Sequence, residues 1–211
     1  MKLSLGPVLF YWDRQQTLDF YANMAEQPLD VIYLGETVCS KRRAMMLDDW
    51  LGLARDLAEA SSAQLVLSGL TLVEAASELS SLRRLCDNGE LLVEANDMGA
   101  VQLMSERKLP FVGGPALNLY NGHALAELVA SGMSRWVPPV EASGKLIKSA
   151  RAQLQELGVA LPAPAAPIPS IAPVPTPAAD AQPDDPQESM PTTPGMALGD
   201  DIQVIVNEGS I

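Results

Sequence analysis

The densest run of reactive side chains in the sequence is Glu36-Thr37-Val38-Cys39-Ser40-Lys41-Arg42-Arg43. Cations crowd the thiol of Cys39, and neighbouring positive charge favours the thiolate that a metal or an electrophile requires. The alternative is an inert small hydrophobe, the commoner state of a lone cysteine. Cys86, the other cysteine, falls on the apolar stripe of a helical pattern and reads as a core residue. The two share no metal-ligand spacing. His123 is the single histidine, so any Ser/His/Asp or Cys/His arrangement must run through it. It follows Asn121-Gly122 at a helix start, where it reads as a surface or capping residue. No HExxH, EF-hand, CxxC, GxGxxG or Walker pattern occurs.

Further polar groups stand at the ends of apolar runs: Asp13, Glu36, Glu94, Asn96, Asp97, Asn118, Tyr120, Asn121 and Glu141. In a parallel α/β protein the reactive groups gather at the carboxyl ends of the strands, where loops converge on one rim. These acids and amides would therefore share a rim able to bind a polar substrate. Asp97 and Asn121 each precede a helical pattern and read as N-caps.

The elements that must position this rim alternate regularly. Apolar or β-branched runs predict strands at Leu3–Tyr11, Val31–Gly35, Gln64–Gly69, Leu91–Ala95, Phe111 to about Tyr120, and Arg135–Val140. Helical periodicity links Leu18, Tyr21 and Met24, then Met46, Trp50, Leu53 and Leu57, then Leu72, Ala75, Leu79, Leu82 and Cys86. Two more helices follow Asn121 and the N-cap Ser143, the last stopping at Gly158. Strands alternating with helices predict about six βα units and a parallel sheet. Six units complete an open doubly wound sheet but leave a (β/α)₈ barrel two units short. The first strand runs into Phe10-Tyr11-Trp12-Asp13 rather than a glycine-rich phosphate loop, which favours the incomplete barrel.

The 211 residues hold 14 basic and 26 acidic groups, a net charge of −12. Residues 158–211 contain seven of the acids, 11 of the 17 prolines, and no Lys, Arg or aromatic side chain. Residues 1–158 are thus expected to form the folded α/β portion, and residues 159–211 a Pro/Ala-rich, acidic, disordered tail. Within the tail, Ile202–Val206 could pair as a short strand, but an unattached end is the expectation. The acidity argues against a nucleic-acid partner. No apolar run reaches the roughly 18–20 residues of a membrane span. Two cysteines and the lack of a signal peptide point to a reducing cytoplasm.

Several blocks, in order, carry a family resemblance. They are Leu3–Leu9 with Tyr11-Trp12, Asp30–Glu36 running into Val38–Arg43, Glu94–Asp97, and Ser105–Val112. Ala116–Asn118, Tyr120-Asn121, Met133–Trp136 and Pro139–Glu141 continue them. Over residues 1–158 the chain resembles the UbiV group of the collagenase-like U-type peptidase family. That resemblance implies a TIM-barrel-like core and oxygen-independent ring hydroxylation of an aromatic ubiquinone precursor. It also implies a heterodimer with a UbiU-like protein and a [4Fe–4S] cluster held by four cysteines in each protein. Cys39 matches the first cluster ligand by its surrounding motif, and the other three ligands belong to a second half that this sequence lacks. The alternatives are a truncated non-functional fragment, or a peptidase or RNA-hydroxylation enzyme of the wider family. The abrupt change after Gly158 suggests a frameshifted or truncated chain. A barrel short of two strands is further expected to expose two sheet edges, favouring aggregation or pairing with a partner.

Overall fold

The computed structural model of the chain describes residues 2–160 and, as backbone, residues 204–207. Six βα units follow one another: β1 (Lys2–Leu5), α1 (Arg14–Ala25), β2 (Val31–Leu34), α2 (Leu47–Ala60), β3 (Gln64–Ser68) and α3 (Ala76–Cys86) come first. Then come β4 (Leu92–Ala95), α4 (Met98–Glu106), β5 (Phe111–Gly113), α5 (Gly122–Ala130), β6 (Met133–Trp136) and α6 (Gly144–Glu156). Residues 161–203 and 208–211, most of the expected tail, lie outside the described residues.

The strands are shorter than the apolar runs, for local reasons. Pro7 has no N–H to give a ladder, so β1 stops at Leu5 rather than Tyr11. Pro115 opens a 3₁₀ turn over Pro115–Leu117, so β5 stops at Gly113 rather than near Tyr120. Pro138-Pro139 likewise stands one residue beyond the end of β6. Leu72, expected in the third helix, lies exposed in the loop before it. That helix begins at Ala76 because the Glu78 carboxylate turns back to accept the N–H groups of Glu74 and Ala75. The expected caps form. Asp97 accepts from the Gly99 N–H, Asn121 from Ala124, and Ser143 from Leu146.

Strand order is β6-β5-β4-β3-β2-β1-β7, and β1 to β6 pair parallel with their sequence neighbours. A doubly wound sheet reverses its order at a switch point. This one does not, so the units wind in a single direction into a curled half-barrel sheet. The curl is visible in side chains: Arg135 on β6 reaches the Tyr33 hydroxyl on β2 at 3.5 Å and also donates to Gln64 on β3. In a flat sheet β2 and β6 would stand roughly 19 Å apart, four strand spacings of about 4.8 Å. Val31, Tyr33, Val66, Leu92, Val112 and Val137 fill the concave face as one cluster. The convex face packs on the helices through two larger clusters, one around Ile32, Leu34 and Leu67, the other around Val93, Phe111 and Met133.

β7 (Val204–Asn207) pairs antiparallel with β1, Val204 opposite Leu5 and Asn207 opposite Lys2. The unattached end expected for this stretch is therefore replaced by a ladder. Its VIVN sequence is apolar and β-branched, and the β1 edge offers unpaired donors and acceptors. One of the two expected open edges is covered. Among the described residues, no helix is long and apolar enough to cross a membrane.

Candidate functional site

The carboxyl ends of the strands gather the predicted residues on one rim, but in three separate settings.

The first setting is the loop after β2. Gly35, at φ +133°, ends the strand where an added Cβ would stand 2.4 Å from the Ser68 carbonyl oxygen, so only glycine fits there. Glu36 then folds the loop over itself. Its Oε1 accepts the N–H groups of Val38 at 2.8 Å and Cys39 at 3.1 Å, and lies 3.9 Å from the Arg42 guanidinium. Arg42 also donates to the Leu9 carbonyl at 2.8 Å, tying this loop to the one after β1. Cys39 is half-buried in the resulting turn, which closes through the Arg42 N–H and the Cys39 carbonyl. Between the two loops lies a cavity of about 20 Å³, lined by Phe10, Trp12, Glu36, Arg42 and Trp50, among others. That is room for one water molecule.

The second setting is buried beneath the rim. Glu94 on β4 points into the concave face and is 2% exposed. Burial pushes its carboxyl above the usual carboxylate range, because no solvent stabilises the charged form. The Asn96 amide partly opposes this by donating to Glu94 Oε2 at 3.1 Å and to the Gly69 carbonyl at 3.2 Å. Ser68, in register with Glu94 on β3, approaches the same carboxyl. Its hydroxyl, just outside hydrogen-bond geometry, also opposes the rise. The Asn96 Oδ1 and Thr37 Oγ1 atoms are also buried without a partner among the described residues. Gly114 makes the arrangement possible: a Cβ there would fall 2.0 Å from Asn96 Oδ1. Tyr33, across the concave face, is pushed up to about 12 by burial, with the Glu94 carboxylate adding to the rise. Burial thus favours the protonated form of both a carboxyl and a phenol on the concave face, groups of the kind that donate a proton or a hydrogen bond.

The third setting is the far side of the rim, where the Tyr120 hydroxyl donates to Glu141 and links the loops after β5 and β6. That bond raises the phenol and lowers the carboxyl from their ordinary values. Other predicted residues serve the backbone. Asp13 forms a capping box with Gln16 on α1, and Asn118 holds the left-handed turn (φ +54°) after the 3₁₀ helix. His123 lies exposed in the first turn of α5. Cys86 is buried against the helix-side core, as expected, and its thiol is pushed up to about 11 by burial.

Cys39 and Cys86 stand on separate elements, and among the described residues no three His, Cys, Asp or Glu side chains group as metal ligands. A [4Fe–4S] cluster takes four thiolates, and the sequence has two cysteines. The residues present therefore do not complete such a cluster. Sequence reasoning missed Ser68, Gly114 and Arg135 as parts of the site. The Gly113-Gly114 pair after a strand was the available signal for a close approach.

No protein-family model matches the chain, and no solved structure matches it.

Proposed function

We propose that this chain is a TIM-barrel-like half of the UbiV kind. In this reading it supports oxygen-independent ring hydroxylation in ubiquinone biosynthesis, in the cytoplasm, as the partner of a UbiU-like protein. The observation that carries the reading is the loop after β2. There the cation-flanked Cys39 sits at the carboxyl end of a barrel-type strand, held by Glu36 and Arg42 rather than packed into the core. Cys39 would supply one thiolate to a cluster. The three remaining ligands would have to come from outside this sequence, so no redox step is assigned to its residues. Glu94 and Asn96 are the groups here that could hold a proton or orient a polar substrate atom.

Anaerobic co-expression with a UbiU-like protein, followed by iron and sulfide analysis of the purified complex, tests this. Stoichiometric cluster that falls when Cys39→Ser is introduced supports the proposal. Complex formation with the cluster content unchanged by that substitution removes Cys39 from it. Background iron in every sample favours the second reading, a fragment or pure binding partner, which the count of two cysteines specifically supports.

A further inference from the structure

The carboxyl ends of β2, β3 and β4 carry buried oxygen atoms that the fold leaves without hydrogen-bond partners. Among the described residues, the Ser68 and Thr37 hydroxyls and Asn96 Oδ1 are of this kind, on side chains 0%, 2% and 3% exposed. Ser68 stands opposite Glu94 in the register of β3 and β4, and its side chain reaches toward the same carboxyl. Asn96 spends its amide N–H groups on Glu94 Oε2 and the Gly69 carbonyl, so what it has left to offer is an acceptor. Gly114 brings no side chain against that oxygen. Thr37 adjoins them, two residues beyond Gly35, which packs against the Ser68 carbonyl. Glu94 itself lacks a counter-charge. Among the described residues it forms no salt bridge, and Arg135, which reaches across the concave face, donates to Gln64 and Tyr33 instead. A buried carboxyl is ordinarily paired, and every unpartnered polar atom beside it costs free energy.

We propose that these oxygens form a binding site for an ammonium ion or the head of a primary amine. Such a head brings a positive charge to Glu94 and several N–H donors to Asn96 Oδ1 and the two hydroxyls, all of which can accept. A water molecule would satisfy the hydroxyls but leave the carboxyl without a counter-charge. A divalent metal would need more than one carboxyl, and among the described residues no three metal-ligating side chains group here. A quaternary ammonium has no N–H to give. The inference sharpens the role given above to Glu94 and Asn96, whereas the cluster reading turns on Cys39 and has its own test.

The test adds nitrogen-15-labelled ammonium chloride to the full chain. A bound ion shielded from water gives a nitrogen-edited proton signal separate from that of the free ion. One such signal is expected, saturating with ammonium, displaced by methylammonium and untouched by tetramethylammonium. Ammonium chloride should also raise the melting temperature above that in equal sodium chloride, a readout that does not depend on slow exchange. Glu94→Gln, which keeps the shape of the side chain, should weaken binding about tenfold, and Ser68→Ala about fivefold. Cys39→Ser should leave it unchanged, which separates failure of the cluster reading from failure of this one. No shielded signal together with equal melting temperatures in the two salts means that the oxygens hold water only, and overturns the proposal. Binding indifferent to Glu94→Gln overturns it as well. So does displacement by potassium as readily as by methylammonium, which assigns the oxygens to a metal cation.

Discussion

Replacing Glu94 by glutamine should stabilise the protein increasingly, relative to the wild type, as pH rises from the unfolded carboxyl's pKa towards the raised folded one. Glu94 is 2% exposed, and among the described residues it has no salt-bridge partner. Desolvation raises its folded-state pKa above the unfolded value, and Ser68 and Asn96 only partly oppose this. The sign follows from proton counts. Below the unfolded pKa, about 4.3, both states hold the proton and the side chain's contribution is complete. As pH rises, the unfolded chain releases its proton while the folded chain keeps it, so stability falls until the folded pKa is passed. Across that window the folded-to-unfolded ratio loses tenfold, roughly 1.4 kcal/mol, for each pH unit. A domain of ordinary stability has only about 5–15 kcal/mol in total, so one unit is a measurable fraction. Glutamine keeps the shape and can accept the Asn96 hydrogen bond, but it does not titrate. Urea unfolding of both proteins from pH 5 to pH 8, followed by tryptophan fluorescence, measures the difference. Contributions from other titrating groups cancel between the two proteins, and any constant packing cost of the amide leaves the slope untouched. A difference that stays flat with pH would refute the reasoning, as would a wild type gaining on the variant. Either outcome would mean the carboxylate is solvated or paired.

Other outcomes follow from the same geometry. Gly114→Ala should cost about 1–3 kcal/mol by overpacking, because its Cβ would stand 2.0 Å from Asn96 Oδ1. In a double-mutant cycle Asn96→Ala should relieve much of that cost, and additivity would show that the clash relaxes elsewhere. Arg135→Met should destabilise the chain by about 1.5–3 kcal/mol in denaturant melts, since it removes the charged donor to Gln64 and Tyr33 across the concave face. An unchanged midpoint would mean that packing alone maintains the curl. A thiol reagent at pH 8 should modify Cys39 in the native chain and Cys86 only after unfolding, because burial holds the second thiol near 11. Two equally fast equivalents would place Cys86 outside the core.

Much of the fold could be read from local signals. The alternation of apolar runs with helical periods gave six βα units, because strand and helix periodicities are properties of neighbouring residues. The caps at Asp97, Asn121 and Ser143 were legible for the same reason, each being a contact within three positions. Strand ends were less legible, since Pro7 and Pro115 cut ladders inside continuous apolar runs. The pairing of Val204–Asn207 with β1 was misjudged because the strand's partner lies at the opposite end of the chain.

The candidate site divides along the same line. By itself the sequence determined that acids and amides would stand at strand ends, that Cys39 would follow β2 among cations, and that two cysteines could not complete a four-thiolate cluster. Only the tertiary structure decided which of those groups leave water. Glu94 and Asp97 look alike in sequence, yet Asp97 caps α4, whereas Glu94 is enclosed by β3, β5 and the curl of the sheet. That curl is recorded in a contact between Arg135 and Tyr33, 102 positions apart. The dielectric around a carboxyl depends on which distant strands close over it, and no local period of the sequence carries that information.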